Sequence, residues 1–507
     1  MQIIIPMSGY GERFRKAGYK VPKPLIEVEG KPIIAHVINL FPGENNFTFI
    51  CSQDHLETTN MRVILEKYCP SGEIIGIESH KKGPVFAVSQ IFEKINLDEP
   101  VIVNYCDFNC LWDYENFKLW SKKNNLDGAI PAYKGFHPHS LGKTNYAYIR
   151  ESNMQLLEIK EKEPFTDNRM EEYASTGTYF FSKGTYLINY FKKVLENNVN
   201  VNGEYYCSLV YNFMIKDRLK IGIYEIDHFM QWGTPDDLEE YLSWSKLFDS
   251  LSNKKSYNNA LLGTTIIPMA GKGSRFKEKG YKKDKPYIEV NKKCMFIEAT
   301  KSLPKSNDYL FIKLRSNNCN SFDDKQLEFF RNFEFIEIDE TPKGQAVSTS
   351  IGIKKIEHNN SINISACDHA VIYDEKKFMK IYSSGDFDLI VWTVKGHYSA
   401  IRNPNMYGWL SVQDGEIKET SIKKPLNDTK RDPIIIGTFT FKNKKIFIDC
   451  FERLKLRNNL VNDEYYVDSM IQEAIELGYK CKVFDVQHYI CWGCLLYTSD
   501  AADELTS

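Results

Sequence analysis

The sequence predicts an α/β protein made of two tandem copies of one domain, each built around a parallel sheet. Three observations carry this. The string IIPMSGYGERFRKAGYKVPKPLIEV at residues 4–28 returns as IIPMAGKGSRFKEKGYKKDKPYIEV at residues 266–290, with 16 of 25 positions identical. An offset of 262 residues is far too long for a solenoid repeat, so it marks a duplicated domain. Within each copy, short apolar runs alternate with segments of helical periodicity, the pattern of βαβ units. Each copy also opens on an apolar run that enters a Gly-x-Gly turn, as a buried strand feeding a loop does.

The elements follow in order. After the opening strand and loop, Lys31 to Leu40 carries apolar residues at helical spacing, and Phe47 to Cys51 reads as a strand. Asn60 to Tyr68 predicts a helix and Glu73 to Glu78 a further strand. Pro100 to Tyr105 is a near-continuous apolar strand, answered by Ile362 to Ala366 in the second copy. The polar stretch Asp249 to Asn259 is short of large apolar residues and reads as a linker. The organisation expected is therefore one domain over residues 1–248, a linker over 249–261 and a second domain over 262–493. Residues 494–507 break the repeat directly after Trp492-Gly493, and CLLYTSDAADE resembles a translated sequencing adapter, so they are set aside.

Several residues point to chemistry. Gly9 and Gly11 let the backbone turn sharply and aim N–H groups at a ligand, as a phosphate cradle does. Arg13 and Lys23 place positive charge near the same mouth, the polarity a triphosphate needs. Gly271, Gly273, Arg275 and Lys285 repeat the set; packing alone would preserve apolar positions rather than these. Asp107 stands just past the end of a strand, where parallel sheets bind ligands, and Asp368 matches it. A carboxylate there suits Mg²⁺, which takes oxygen donors and bridges phosphates; a helix N-cap is the other reading.

The pattern G-x-G-x-R-F followed by P-K-P-L-I-x-V-x-G-K-P resembles the signature of the sugar-phosphate nucleotidylyltransferases, over nearly all of the first copy and most of the second. The resemblance implies three-layer α/β/α, Rossmann-like domains of the GT-A type with mostly parallel sheets. It also implies a Mg²⁺-dependent reaction joining a nucleoside triphosphate to a sugar 1-phosphate, with release of pyrophosphate. Ser8, Gly9 and Gly11, like Ala270, Gly271 and Gly273, would then hold the nucleotide, and Arg13, Lys23, Arg275 and Lys285 would be catalytic. Gly83 and Gly344 match the turn that reads the nucleobase; Gln345 could bond a pyrimidine edge, whereas Pro84 cannot. Thr144 to Ile149 and Pro404 to Leu410 match a strand whose backbone contacts the sugar. Glu161-Lys162 resembles the family's E-K-P motif, with Glu161 on sugar hydroxyls and Lys162 on the sugar phosphate. The second copy keeps Lys423 but has Ile422 in place of the Glu. Gly177 and Gly437 lie on a strand facing the sugar, and Glu204 and Glu464 match a sugar-binding Glu, with a helix-capping acid as the alternative. Asp107 and Asp368 would bind the metal. At the second metal position, where many members have Asp, this chain has Gln231 and Cys491; an amide oxygen is an uncharged substitute and a thiol a poor one.

Composition bounds the partners. Formal net charge is −2 over 507 residues, with no basic field for nucleic acid. The start lacks a secretory pattern, and no run of about 18 apolar residues indicates a membrane span. The 12 scattered cysteines fit reduced thiols and a cytoplasmic setting. The expectation is a cytoplasmic enzyme supplying activated sugars for capsule or other surface polysaccharide, with an oligomer left open. Rivals are a transferase for another phosphorylated alcohol such as phosphocholine, and a nucleotide-sugar sensor, chiefly in the second copy. A dinucleotide oxidoreductase would need a third Gly where Phe14 stands.

Overall fold

The computed structural model describes residues 1–135, 137, 146–252, 260–278, 280–316 and 324–493. The chain divides into two compact units, Met1–Lys246 and Leu247–Ser507. Of the span expected to join the copies, residues up to Ser252 belong to the helix Pro235–Ser252, and Ala260 opens the strand Ala260–Pro268. The remaining linker residues, the set-aside tail 494–507, and Thr144 and Asn145 of one predicted strand lie outside the described residues.

The first unit holds a ten-stranded sheet. By starting residue its order is Tyr173, Ala147, Gln155, Ile221, Gly128, Thr178, Val101, Gln2, Phe47, Glu73. Seven of the ten strands point the same way; those starting at Gln155, Tyr173 and Thr178 run against them. The second unit repeats the plan with nine: Asn332, Lys305, Ala260, Ser361, Ile434, Leu389, Cys481, Glu416, Gly408. There Ile434–Phe441 is one strand, while the first unit breaks the matching run into Tyr173–Ser175 and Thr178–Phe181 around Thr176-Gly177.

The opening strand shows why the sheet is sandwiched. In Gln2–Met7, Ile3, Ile5 and Met7 join one core cluster and Ile4 the other. A strand apolar on both faces has to be covered on both, which is the condition for a three-layer domain. Helices Ile33–Ile38, Met61–Tyr68 and Tyr114–Lys123 cover one face; Gly83–Ser89, Gly184–Glu196 and Cys207–Lys216 cover the other. Each fully buried Ile contributes about 1.5–3 kcal/mol, so the strand is held firmly in register. The helix Ile33–Ile38 starts later than the apolar periodicity of Lys31 to Leu40 predicts, because Lys31–Pro32 instead pairs with Glu27–Val28 as a small ribbon.

The chain runs from Gln2–Met7 outward through Phe47–Ser52 and Glu73–Ile77, then crosses back to place Val101–Asn104 on the other flank of the first strand. That reversal leaves a crevice at the carboxyl ends of two neighbouring strands. The second unit repeats it, with Ser361–Ser365 beside Ala260–Pro268. Among the described residues no helix is long and apolar enough to cross a membrane.

Candidate active site

Two loops meet at the crevice of the first unit. Ser8 to Arg13 follows the first strand, with Gly11 in the left-handed region at φ 60° and open space where a Cβ would sit at Gly9. Cys106-Asp107 follows Val101–Asn104. Asp107 caps no helix, since the next element is the strand Phe108–Leu111; the capping acid is Asp113, whose side chain accepts from the Asn116 N–H. Phe108–Leu111 pairs with His228–Gln231 in a separate two-stranded ribbon, and the Trp232 N–H donates to the Asp107 carbonyl at 3.0 Å. Asp107 and Gln231 are thus held together by one ribbon.

These loops line a cavity of about 440 Å³. Its walls include Ser8, Gly9, Gly11, Arg13, Lys23, Gly83, Asp107, Glu161, Lys162, Gly177, Glu204 and Gln231, so every first-copy residue singled out from the sequence shares one space. Lys23 Nζ donates to Asp107 Oδ2 at 2.8 Å, both side chains being about one-fifth exposed (23% and 22%). Burial pulls the Lys23 pKa down, but the Asp107 carboxylate outweighs it and holds the amine above the ordinary lysine value. A Cβ at Gly233 would lie 2.8 Å from Asp107 Oδ2 and 3.0 Å from Gln231 Nε2, so both side chains converge over that glycine.

At the end of the cavity formed by the Ser8–Arg13 loop, Ser8 Oγ lies 3.1 Å from His80 Nε2. The Lys82 backbone N–H donates to His80 Nδ1 at 3.2 Å, which leaves the ring hydrogen on Nε2, donating to Ser8. Gly83 has φ 81°, and a Cβ there would meet the Tyr205 backbone at 2.7 Å, so only glycine fits the approach. Arg13 is exposed at the rim.

At the opposite end, Glu161 Oε2 accepts from Ser208 Oγ at 2.6 Å, and burial pushes its carboxyl up to about 7. Lys162 takes the left-handed region at φ 61°, donates to the Tyr206 hydroxyl, and lies 3.7 Å from Glu204 Oε2. Tyr206 in turn donates to Glu204. The helix-cap alternative for Glu204 falls, because the next helix begins at Cys207 with Tyr206 before it. Gly177, at φ 97°, accepts through its carbonyl from Tyr105 N–H at 3.0 Å, and a Cβ would press on the Tyr105 ring.

The second unit rebuilds much of this. Gly273 has φ 58°, Gly344 has φ 98° against the Tyr465 backbone, and Gly437 has φ 76°. Lys285 donates to Asp368 Oδ2; burial opposes the charge, yet Lys285 and His369 hold that carboxyl well below the usual range. Gly271 leaves open space like Gly9, Ala270 stands where Ser8 does, and Gln345 is the first residue of the helix Gln345–Ile353. Lys423 keeps its strained backbone at φ 58°, its Nζ lying 3.5 Å from the Tyr466 hydroxyl, and both Glu464 and Arg275 act on that tyrosine's charge. Cys491 pairs with His369 in the matching ribbon.

Sequence reasoning missed Ser208, Tyr206, His80 and Gly233 in the first unit and Asp468 in the second. Tyr206 and Tyr466 had a signal, the shared Glu-Tyr-Tyr of the two copies. Ser208 and Asp468 did not, because the repeat differs there.

Residues 2–206 match the family model described as Nucleotidyl transferase. The chain is 25% identical over 186 residues to a protein named mannose-1-phosphate guanyltransferase beta-A from Xenopus laevis, covering 36% of this chain and 50% of that one. It is 26% identical over 271 residues to the bifunctional protein GlmU of Lactobacillus gasseri, covering 51% and 54%. The chain therefore spans about half the length of these relatives. A nucleoside-diphosphate-sugar pyrophosphorylase structure from Vibrio cholerae RC9 aligns with a TM-score of 0.39 at 20% identity, over 48% of this chain and 99% of that one.

Proposed function

We propose that this chain, whose residues 2–206 match the family model described as Nucleotidyl transferase, joins a nucleoside triphosphate to a sugar 1-phosphate in its first unit. An oxygen of the sugar phosphate attacks the α-phosphorus, the bond to the β-phosphate breaks, and pyrophosphate leaves with the electron pair. The observation that carries the reading is the Lys23–Asp107 pair, set beside the Ser8–Arg13 loop in one cavity with Lys162 and Glu161. Such chemistry asks the protein mainly for positioning and charge neutralisation. The loop N–H groups and Arg13 hold the leaving phosphates, and Lys23 faces charge that grows on the α-phosphate. Lys162, steadied by Tyr206, orients the incoming phosphate, and Glu161 and Glu204 accept from sugar hydroxyls.

A divalent cation fits the donor set in a limited way. Among the described residues no group of three or more His, Cys, Asp or Glu side chains is placed to hold a metal. Asp107 and the Gln231 amide converge over Gly233, and Mg²⁺ commonly takes one or two carboxylates with phosphates and water supplying the rest. Asp107 would hold it, Gln231 would assist, and when bound it would neutralise phosphate charge.

The second unit keeps Lys285, Asp368 and Lys423 but offers Cys491 at the ribbon position, and we assign it ligand binding ahead of catalysis. The product would be an activated sugar made in the cytoplasm for surface polysaccharide. The test is pyrophosphate release by the full chain with Mg²⁺ and a panel of triphosphates and sugar 1-phosphates. GTP with mannose 1-phosphate goes first, on the name of the frog relative. Release dependent on one pair is the expected result; release with phosphocholine alone would replace the sugar by another phosphorylated alcohol.

A further inference from the structure

In the first unit the carboxylate of Glu161 enters the acceptor end of the cavity, which Glu204 also lines, from the strand Gln155–Glu161, with Ser208 donating to it from the facing helix. The second unit has Ile422 at the strand position and Asp468 at the serine's. The neighbours fix this alignment, since Lys162 matches Lys423 and Tyr206 matches Tyr466, each pair making the same lysine–tyrosine contact. A third replacement accompanies these two. Where the first cavity is walled by Ala147, the second unit has Gly408, and a Cβ there would lie 2.9 Å from Asp468 Oδ2. The carboxylate of Asp468 thus fills space that the alanine methyl holds in the first unit.

Glu to Ile, Ser to Asp and Ala to Gly together keep one carboxylate near the lysine–tyrosine pair while moving its attachment from the strand to the start of the facing helix. Asp468 is the N-cap residue of the helix Ser469–Glu476 but makes no side-chain cap bond, and among the described residues no side chain makes a hydrogen bond or ion pair with it; burial pushes its carboxyl up to about 6 against a hydrogen bond from its own backbone N–H and the pull of Lys423. A half-buried carboxylate that accepts from only a backbone N–H keeps acceptor capacity that a ligand hydroxyl can fill. We infer that Asp468 is the hydroxyl acceptor of a phosphorylated polyol held in the second unit, with its phosphate on Lys423. This rests on the reading of the first unit given above, and goes past it in assigning the second unit its own ligand and a hydroxyl preference read from the start of the facing helix.

The test is calorimetric titration of the full chain with mannose 1-phosphate and with glucose 1-phosphate. In a Lys162→Ala background, which silences the first unit, one equivalent of at least one probe should bind. Adding Asp468→Asn, which keeps the shape and removes the charge, should weaken that binding at least about tenfold. Adding instead Asp468→Ser with Ile422→Glu, which transposes the acid back to the first unit's arrangement, should restore it. Unchanged binding in Asp468→Asn, or failure of the transposed pair to restore it, would overturn the inference. So would a Lys162→Ala chain that binds neither probe while a Lys423→Ala chain still does. If neither single variant nor the parent binds either probe, the sugar-phosphate reading of the first unit falls as well.

Discussion

Replacing Lys23 by alanine should lower turnover about 10²- to 10³-fold, the loss that follows removal of one preorganised donor aimed at transition-state charge. An ammonium has three N–H donors, and Lys23 commits one to Asp107 at 2.8 Å, leaving two for substrate. With each partner only about one-fifth exposed, the pair is shielded from most salt screening. The effect should fall on kcat more than on KM for the triphosphate, because the charge it meets grows during the reaction. The sign of the pH effect follows from the pair. Burial alone would lower the Lys23 pKa, but Asp107 raises it above 10.5, so the amine stays charged at neutral and mildly alkaline pH. Its share of folding stability is accordingly full below 10.5 and is lost only as pH rises through the folded value. Asp107→Asn removes the opposing carboxylate and leaves burial unbalanced; because Asp107 would also hold the cation, the rate should drop at every pH, and the rate that remains should show an alkaline fall that the parent lacks. The assay is pyrophosphate release by the full chain across about pH 6–10, with intact near-UV circular dichroism as the folding control. Full turnover in Lys23→Ala would refute the assignment, and an unaltered alkaline profile in Asp107→Asn would refute the electrostatic account.

Three further outcomes are expected. Glu161, with its carboxyl near 7, should give an acid-side rise in acceptor KM that disappears in Glu161→Gln. Because the folded state holds this proton and the unfolded chain releases it near 4.5, stability should fall as pH rises between those values; the variant's gain in Tm should be larger at about pH 8 than at about pH 5. Gly233→Ala would set a methyl 2.8 Å from Asp107 Oδ2 and should cost about 10²-fold in rate through misplacement, while the melting curve changes little. Lys285→Ala leaves Asp368 with the His369 ring as its remaining side-chain partner. Breaking a fully buried pair costs about 3–5 kcal/mol, and partial exposure reduces this to about 1–3 kcal/mol, readable by urea titration. The Asp368 contribution is present above the unfolded value of 3.8 and lost as pH falls, so acid sensitivity should shrink in the same variant.

Much of this was legible in the sequence because the duplication acted as an internal control. Gly11 and Gly273 recur where a left-handed turn is needed, and Lys23 and Lys285 recur where each meets an aspartate more than 80 residues away. Strand ends were readable from apolar runs such as Val101–Asn104, whose burial on both faces forces continuous hydrophobicity. What stayed hidden lies where tertiary contacts decide. The helix predicted from Lys31 begins only at Ile33, since ribbon pairing with Glu27–Val28 takes the first two residues. Ser208 and Asp468 gave no signal, because their roles depend on the residue across the pocket, Glu161 or Ile422, which lies far earlier in the chain. His80 became visible only through the Lys82 N–H and Ser8 that fix its ring.

Lys162 and Lys423 both sit in the left-handed backbone region, at φ 61° and 58°, each fastened by its N–H to a tyrosine carbonyl, of Tyr146 and of Tyr407. For a side chain with a Cβ that conformation costs about 1–2 kcal/mol, a penalty glycine avoids and asparagine softens. Any library of this chain screened for heat or protease resistance alone should therefore enrich Gly or Asn at both positions. The same library screened for ligand capture should return lysine. A divergence between the two screens would identify these residues as places where the requirements of folding and of function conflict, and would do so without any assay of the reaction.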